Sequence, residues 1–524
     1  MSVDRSTFKH AAVYSAAAML SRMIGFVLLP LYAHELQAIG YGIIAMVDLA
    51  VGFLLSLLAQ GIRGGLVRFY HEEKDPARKK DVVPTGTRLV ILATSVLVLL
   101  TMLLSRPISS VMLGDGGYWY LICLGAVSFL LQFVGDTASS ILLIRRRSLT
   151  YSGVSVIQLV LGILLNFTFI VVLKWGVTGY FLAAIGTALV ATAFFMWLLI
   201  RSCGWSYDSE VARKLIDFQL PLVPGSLAAF LARQAERVLL RFMDALESVG
   251  ILEMGYKFPV LLTLMIHQPF MRSWDTRRVE IAEEPDGPQR LGRMYTYGLF
   301  MMLAAGLIMA VCIRELIMIL LPHEFWPAYR IARIEILTVL MQSSMYHFIF
   351  GIFYMKKTKD WAIVRGWCAA IKVGMSVVFI SLWGLYGAAY SACGTMLIML
   401  VWGTWLGMKH FFFPIEKAKV GLLLGGAVAM FLILQGADMK SIGLFDPIRT
   451  SWMPWLISNL DGTFFSTWKE GKVIVLLNER LDLIVDMTMR GLLASGYIVL
   501  LPLVHDPSRW KVQKMFGRRG PARA

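Results

Sequence analysis

The chain has 524 residues, 57% of them hydrophobic and 16% charged, with a formal charge of +16 at pH 7 and a mean hydropathy of +0.67. A soluble domain carries about a quarter charged residues, so these values exclude one and describe a polytopic helical membrane protein. The positive charge does not call for nucleic acid: Lys and Arg cluster in alternate loops, where they would face an anionic cytoplasmic leaflet.

In chain order, the apolar runs predict fourteen transmembrane helices, near 10–33, 39–62, 86–112, 117–144, 151–173, 176–200, 215–240, 249–271, 295–321, 331–355, 361–383, 385–408, 418–435 and 483–504. The first run is too long for a cleaved signal and is expected to be retained. Arg5 and Lys9 precede it. Basic loops then follow every second span, from Arg68, Lys74, Arg78, Lys79 and Lys80 to Lys409, Lys417 and Lys419, and the tail 505–524 is basic. The intervening loops, such as HELQAIG and LGDGG, are poor in positive charge. By the positive-inside rule both termini are expected to be cytoplasmic.

Two segments depart from a compact bundle. The link 273–294 is charged and punctuated by Pro and Gly, as suits a cytoplasmic loop. The segment 436–482 is expected outside and carries Trp452, Trp455, Phe464, Phe465 and Trp468. That aromatic density suits either an interfacial layer or a packed loop covering helix ends. The five cysteines form no CxxC and read as buried small hydrophobes.

An internal echo organises the spans. Leu20-Ser21-Arg22 is followed by Gly40-Tyr41-Gly42, and Leu231-Ala232-Arg233 by Gly250-Ile251-Leu252, an offset of 211 residues at the arginine and 210 at the glycine. Six spans separate the two places. The expected architecture is therefore all-α, with two pseudo-symmetric six-helix lobes at 1–200 and 201–408. Two additional helices with the external segment follow at 409–504. Duplicated lobes around a cleft are the usual basis of alternating access.

The start FKHAAVYSAAAMLSRMIGFVLLPLYAHEL, the following GYGIIAMVDLA, GLVRFYHEE at 65–73 and the second-lobe RVLLRFMDALESVGILEMGYKF carry a family resemblance. The chain resembles the polysaccharide-transporter branch of the multidrug/oligosaccharidyl-lipid/polysaccharide exporter superfamily, the O-antigen-type flippases. It is similar also to lipid II flippases, which combine two six-helix lobes with two more helices. The resemblance implies a V-shaped transporter, not an enzyme. Its substrate would be an undecaprenyl-pyrophosphate-linked or other lipid-linked saccharide, moved from the inner to the outer leaflet.

A pyrophosphate head group needs cations in place of water, and the arginine fork supplies them. Arg22, Arg63, Arg233, Arg237, Arg241, Lys257 and Lys372 are the candidate substrate-binding residues. Arg63 and Arg241 sit near span ends, where snorkelling to the interface competes with a substrate role. The acids Asp48, Asp136, Glu236 and Glu253 lie within or beside apolar sequence and suit either structural ion pairs or proton or sodium coupling. Glu253 and Lys257 are four apart and can share a helix face.

No Walker A, HExxH or GxSxG motif occurs, and the histidines have no metal-ligand spacing, so no cofactor or metal is expected. Three rivals remain: a non-catalytic subunit or scaffold of a glycan synthesis and secretion complex, a cation-coupled small-molecule exporter, and a membrane glycan polymerase or ligase. Glycan-synthesis proteins and anionic lipids are the expected partners.

Overall fold

The computed structural model describes residues 28–59, 61–145, 147–275, 277–436, 486–488 and 490–497, all of them helical or in short connections. The principal helices are α1 Leu29–Ala59, α2 Gly61–Glu72, α3 Pro76–Leu103, α4 Ser105–Leu113, α5 Trp119–Ile144, α6 Ser148–Asn166, α7 Gly176–Cys203, α8 Ser209–Gln219, α9 Val223–Met243, α10 Leu246–Lys257, α11 Gly287–Leu320, α12 Ala328–Phe348, α13 Thr358–His410 and α14 Lys417–Gly436. Ten segments among the described residues are long and apolar enough to cross a membrane, or eleven when α8 and α9, bent by 47°, count as one. The chain is an all-α, multi-pass membrane protein. The expected first span lies outside the described residues except for its end, as does segment 436–482 apart from Gly436; the fourteenth span is described only in part.

Three local features refine the expected spans. The run 86–112 is two helices, because Pro107 would set its ring against the carbonyl of Leu103 if the helix continued; the chain breaks at Leu104 instead (φ −93°, ψ 8°). A break at Gln37 (φ 56°) interrupts α1 between the first two expected spans. A third lies at Gly384 (φ 52°, ψ −129°) within the 53-residue α13. The Ser376 and Ser391 hydroxyls are 3.0 Å apart. Fifteen residues of straight helix would separate them by about 22 Å. The chain therefore folds back at Gly384, and α13 is a hairpin of two helices.

The membrane offers no water to a stray polar group, and a hydroxyl can be satisfied within its own helix. On α3, the hydroxyls of Thr87, Thr94 and Thr101 donate to the carbonyls of Val83, Val90 and Leu97, four residues back. Their seven-residue spacing keeps all three on one buried face.

Two compact units result. The first comprises Met1–Met254 with Trp367–Ala392, and the second Gly255–Gly366 with Cys393–Ala524. Within the first, α1 and α10 meet through a reciprocal pair of glycines. A Cβ on Gly42 would lie 2.1 Å from the Leu246 carbonyl oxygen, and one on Gly250 would lie 2.0 Å from that of Ala38. Both distances exclude a side chain. Each glycine stands four residues after the carbonyl that its partner meets, so the relation maps position 42 onto 250 and 38 onto 246. The contact relates positions 208 residues apart, whereas the Gly40–Gly250 echo in the sequence has an offset of 210. A helix crossing sets register by backbone approach, whereas the echo matched residue types.

Within the second unit, the C-terminal segment packs on α11 and α14. Tyr497 stacks on Phe300 and donates its hydroxyl to the Leu423 carbonyl at 2.7 Å. Arg490 donates to the Leu434 carbonyl at 2.7 Å and pairs with Asp486 at 3.1 Å, with Glu315 at 4.0 Å. Glu315 is 1% exposed. These charges fasten the C-terminal segment to its unit.

Candidate functional site: a charged ladder on α9

The helix α9, VPGSLAAFLARQAERVLLRFM, places Arg233, Arg237 and Arg241 four residues apart. That spacing aligns them on one face, where like charges repel unless each finds a different environment. The fold supplies three. Arg241, at the helix end, donates Nε–H to the Met112 carbonyl at 2.8 Å, at the C-terminus of α4. Its Nη2 would lie 2.5 Å from a Cβ on Gly114, whose φ of +83° closes α4. A guanidinium on the carbonyl end of a helix satisfies an orphan acceptor and opposes the helix dipole.

Arg237 pairs with Glu253 on α10 and also donates to the Gln234 side-chain oxygen. Both members of the ion pair are about four-fifths buried, at 19% and 20% side-chain exposure. Glu236, turned about 100° from Arg237 around the helix, meets Lys372 Nζ at 2.5 Å. Its side chain is 2% exposed, and Lys372 lies on the first limb of the α13 hairpin. Two adjacent residues of α9 thus tie it to two different helices. A buried pair of this kind is costly to break, because the survivor is left as an uncompensated charge.

Arg233 is exposed. It sits at the middle of the 21-residue α9, about 15 Å from either end. Counting Arg233, Arg237 and Lys372 against Glu236 and Glu253, the cluster retains one positive charge, and its accessible part is Arg233.

The structure thus brings together Arg233, Arg237, Glu236, Glu253 and Lys372, and places Arg241 at a helix cap. Glu253 is engaged by Arg237 on the neighbouring helix, beside the intrahelical spacing to Lys257 seen in the sequence. Lys257 is half-buried at the end of α10, Asp48 is half-buried on α1, and Asp136 is exposed on α5. Arg63 lies on α2, and Arg22 lies outside the described residues. Sequence reasoning passed over Gln234, Glu315 and Arg490. The four-residue spacing of the arginines was available as a signal.

Elsewhere, His267 shares a 2.8 Å hydrogen bond with Ser343, and His347 is buried among Phe270 and Tyr295. Among the described residues no group of three or more His, Cys, Asp or Glu side chains could hold a metal ion.

The family model described as Polysaccharide biosynthesis protein matches residues 7–274, just over half of the chain and all of α9 and α10. The chain belongs to this family. Among solved structures, the fold of this polysaccharide biosynthesis family member is similar to the lipid II flippase MurJ in an inward closed conformation. The two share 13% identity at a TM-score of 0.66, over 94% of this chain and 100% of that one. It is similar to a MATE family multidrug resistance transporter of the MOP superfamily in an inward-facing conformation, at 14% identity and a TM-score of 0.55, over 75% of this chain and 94% of that one. A Vibrio cholerae MATE transporter mutant aligns at 15% identity and a TM-score of 0.51, over 77% and 96%. At these identities the likeness establishes the fold. No curated protein matches the chain.

Proposed function

We propose that this protein moves an anionic lipid-linked oligo- or polysaccharide precursor from the cytoplasmic to the outer leaflet of the plasma membrane by alternating access. Fourteen helices would form two six-helix lobes with two C-terminal helices, both termini in the cytoplasm. Membership of a polysaccharide biosynthesis family and a fold similar to a lipid II flippase support this reading. The observation that carries it is Arg233, an exposed cation at the middle of α9, which is long and apolar enough to cross a membrane only together with α8. A charge within such a span is expensive against lipid, but suits a water-filled cleft or an anionic ligand.

The chemistry then follows from the ladder. Arg233 offers a fork of donors to a pyrophosphate, and Arg237 and Lys372 stand behind it, each held by a carboxylate. The carboxylates keep the cations oriented and limit the net attraction, so that the head group can also be released. Arg22, Arg63 and Lys257 would extend the cationic lining. Asp48 is the candidate for proton or sodium coupling.

Flipping of a fluorescent undecaprenyl-pyrophosphate saccharide in liposomes tests the proposal. Arg233→Ala should slow protein-dependent movement at least about tenfold, the loss of one charge-assisted contact, while the variant melts like the unmodified protein. Undiminished movement would return Arg233 to a structural role. An unmodified protein that moves no head group would favour a scaffold in a glycan-synthesis complex.

A further inference from the structure

Three helical segments of the second unit bring polar side chains together inside their spans. His267 closes the π-turn Thr263–His267, and Ser343 and His347 stand four apart on one face of α12. All three are buried. His267 shares its 2.8 Å hydrogen bond with Ser343, and its ring lies 5.1 Å from that of Tyr346. His347 lies 5.9 Å from Phe270, about one turn past His267, and 5.5 Å from Tyr295 of α11. Its Nε2 would meet a Cβ on Gly298 of α11 at 3.0 Å, so the ring fills the notch that this glycine leaves.

The two imidazoles lie inside the spans Leu246–Arg272 and His323–Tyr354, about 7 and 10 Å from the nearer ends. Packing alone does not ask for them, since Phe270 and Phe348 fill the same surroundings without a polar atom. An ionisable group within a span marks a function, proton paths among them, and π-turns are frequent at functional sites. The Ser343 hydroxyl suits either state of His267: it donates to a bare Nδ1 and accepts from a protonated one. The charges that act on the pair differ in sign, Asp275 on His267 and Arg278 on His347, and these two side chains pair with each other at 3.2 Å. Tyr295 and Tyr346 face the rings as well. The two imidazoles also act on each other. Like charges repel, so the pair holds one proton, and Asp275 favours His267 as its seat.

We infer that His267 and His347 form a proton-binding site through which transport is coupled to the proton gradient. The inference rests on the flippase reading above. It puts the coupling group in the second unit, whereas Asp48 belongs to the first. A buried imidazole is stable as the neutral ring, and a hydrated one takes up a proton near neutral pH. An alternating-access movement that trades burial for water at this pair therefore takes up one proton on one side of the membrane and releases it on the other. The proton adds to the free ring nitrogen of His267, giving an imidazolium whose Nδ1–H donates to Ser343, and it leaves as the pair is buried again.

The test is the steady-state distribution of a fluorescent undecaprenyl-pyrophosphate saccharide between the two leaflets of liposomes. The membrane potential is clamped at zero and a pH difference of about one unit is imposed. For one proton per lipid the unmodified protein should shift the distribution about tenfold, and a pH dye in the lumen should report proton movement when the probe is added. His267→Gln and His347→Gln, each checked by thermal melting in detergent, should bring the distribution back to within about twofold of even. A steady state does not depend on rate, so slower variants are compared on the same footing. The two positions are tested separately, and early melting of one leaves the other to decide. Variants that keep the tenfold shift overturn the inference, above all if Asp48→Asn abolishes it. An unmodified protein that moves the probe but ignores the pH difference, or answers only to a sodium gradient, overturns it without any variant and leaves the flippase reading standing. An unmodified protein that moves no probe removes that reading and this inference with it.

Discussion

Replacing Lys372 by Met leaves the Glu236 carboxylate, 2% exposed, without the ammonium now 2.5 Å away. Breaking one side of a buried ion pair costs about 3–5 kcal/mol, because the remaining charge stays desolvated. The lower end of that range is expected, since one-fifth of the Lys372 side chain is accessible and water can follow it. Removing both charges is a different perturbation. With Glu236→Leu added, no uncompensated charge remains, and the double variant should lie within about 1–2 kcal/mol of the unmodified protein. The coupling energy of the cycle is then at least about 2 kcal/mol, a value that residues in direct contact can reach. Denaturant unfolding of the protein in detergent, followed by tryptophan fluorescence, measures all four corners. If Lys372→Met costs under about 1 kcal/mol and the double variant gains nothing over it, the pair does not fasten the hairpin to α9.

Gly250→Ala should destabilise by about 1–3 kcal/mol, despite the better helix propensity of alanine, because its Cβ meets the Ala38 carbonyl. Adding Gly42→Ala should cost less than it does alone, since both act at one crossing; strict additivity in melting experiments would contradict the shared contact. Arg241→Ala should cost about 1 kcal/mol through the α4 cap while leaving flipping close to normal, which separates it from Arg233→Ala in the liposome assay. Arg490→Met should destabilise by about 3–5 kcal/mol by orphaning Glu315, and Glu315→Gln in the same chain should recover part of it in unfolding measurements.

That the chain is an all-α, multi-pass membrane protein was legible in the sequence, and the family resemblance agrees with the family to which the chain belongs. In a bilayer each helix satisfies its own backbone, so hydropathy along the chain reports structure directly. Even there, Pro107 divided one expected span into two helices, a local steric effect visible in the sequence but masked by the apolar run around it. The α9 arginines were equally visible, since their four-residue spacing is a property of one helix.

Partnership was not legible. Glu236 meets Lys372, 136 positions away, and Glu253 meets Arg237 across a helix pair. The sequence set Arg241, near a span end, apart from Arg233, but not the helix cap on which Arg241 is spent. The multi-pass helical character, the excess of cations and the family follow from the sequence by itself, because each is a sum over neighbours in the chain. Which charges neutralise one another and which remain accessible was decided only by tertiary structure. Those outcomes depend on the rotation and approach of helices, which the glycine crossing at 42 and 250 and the chain reversal at Gly384 set.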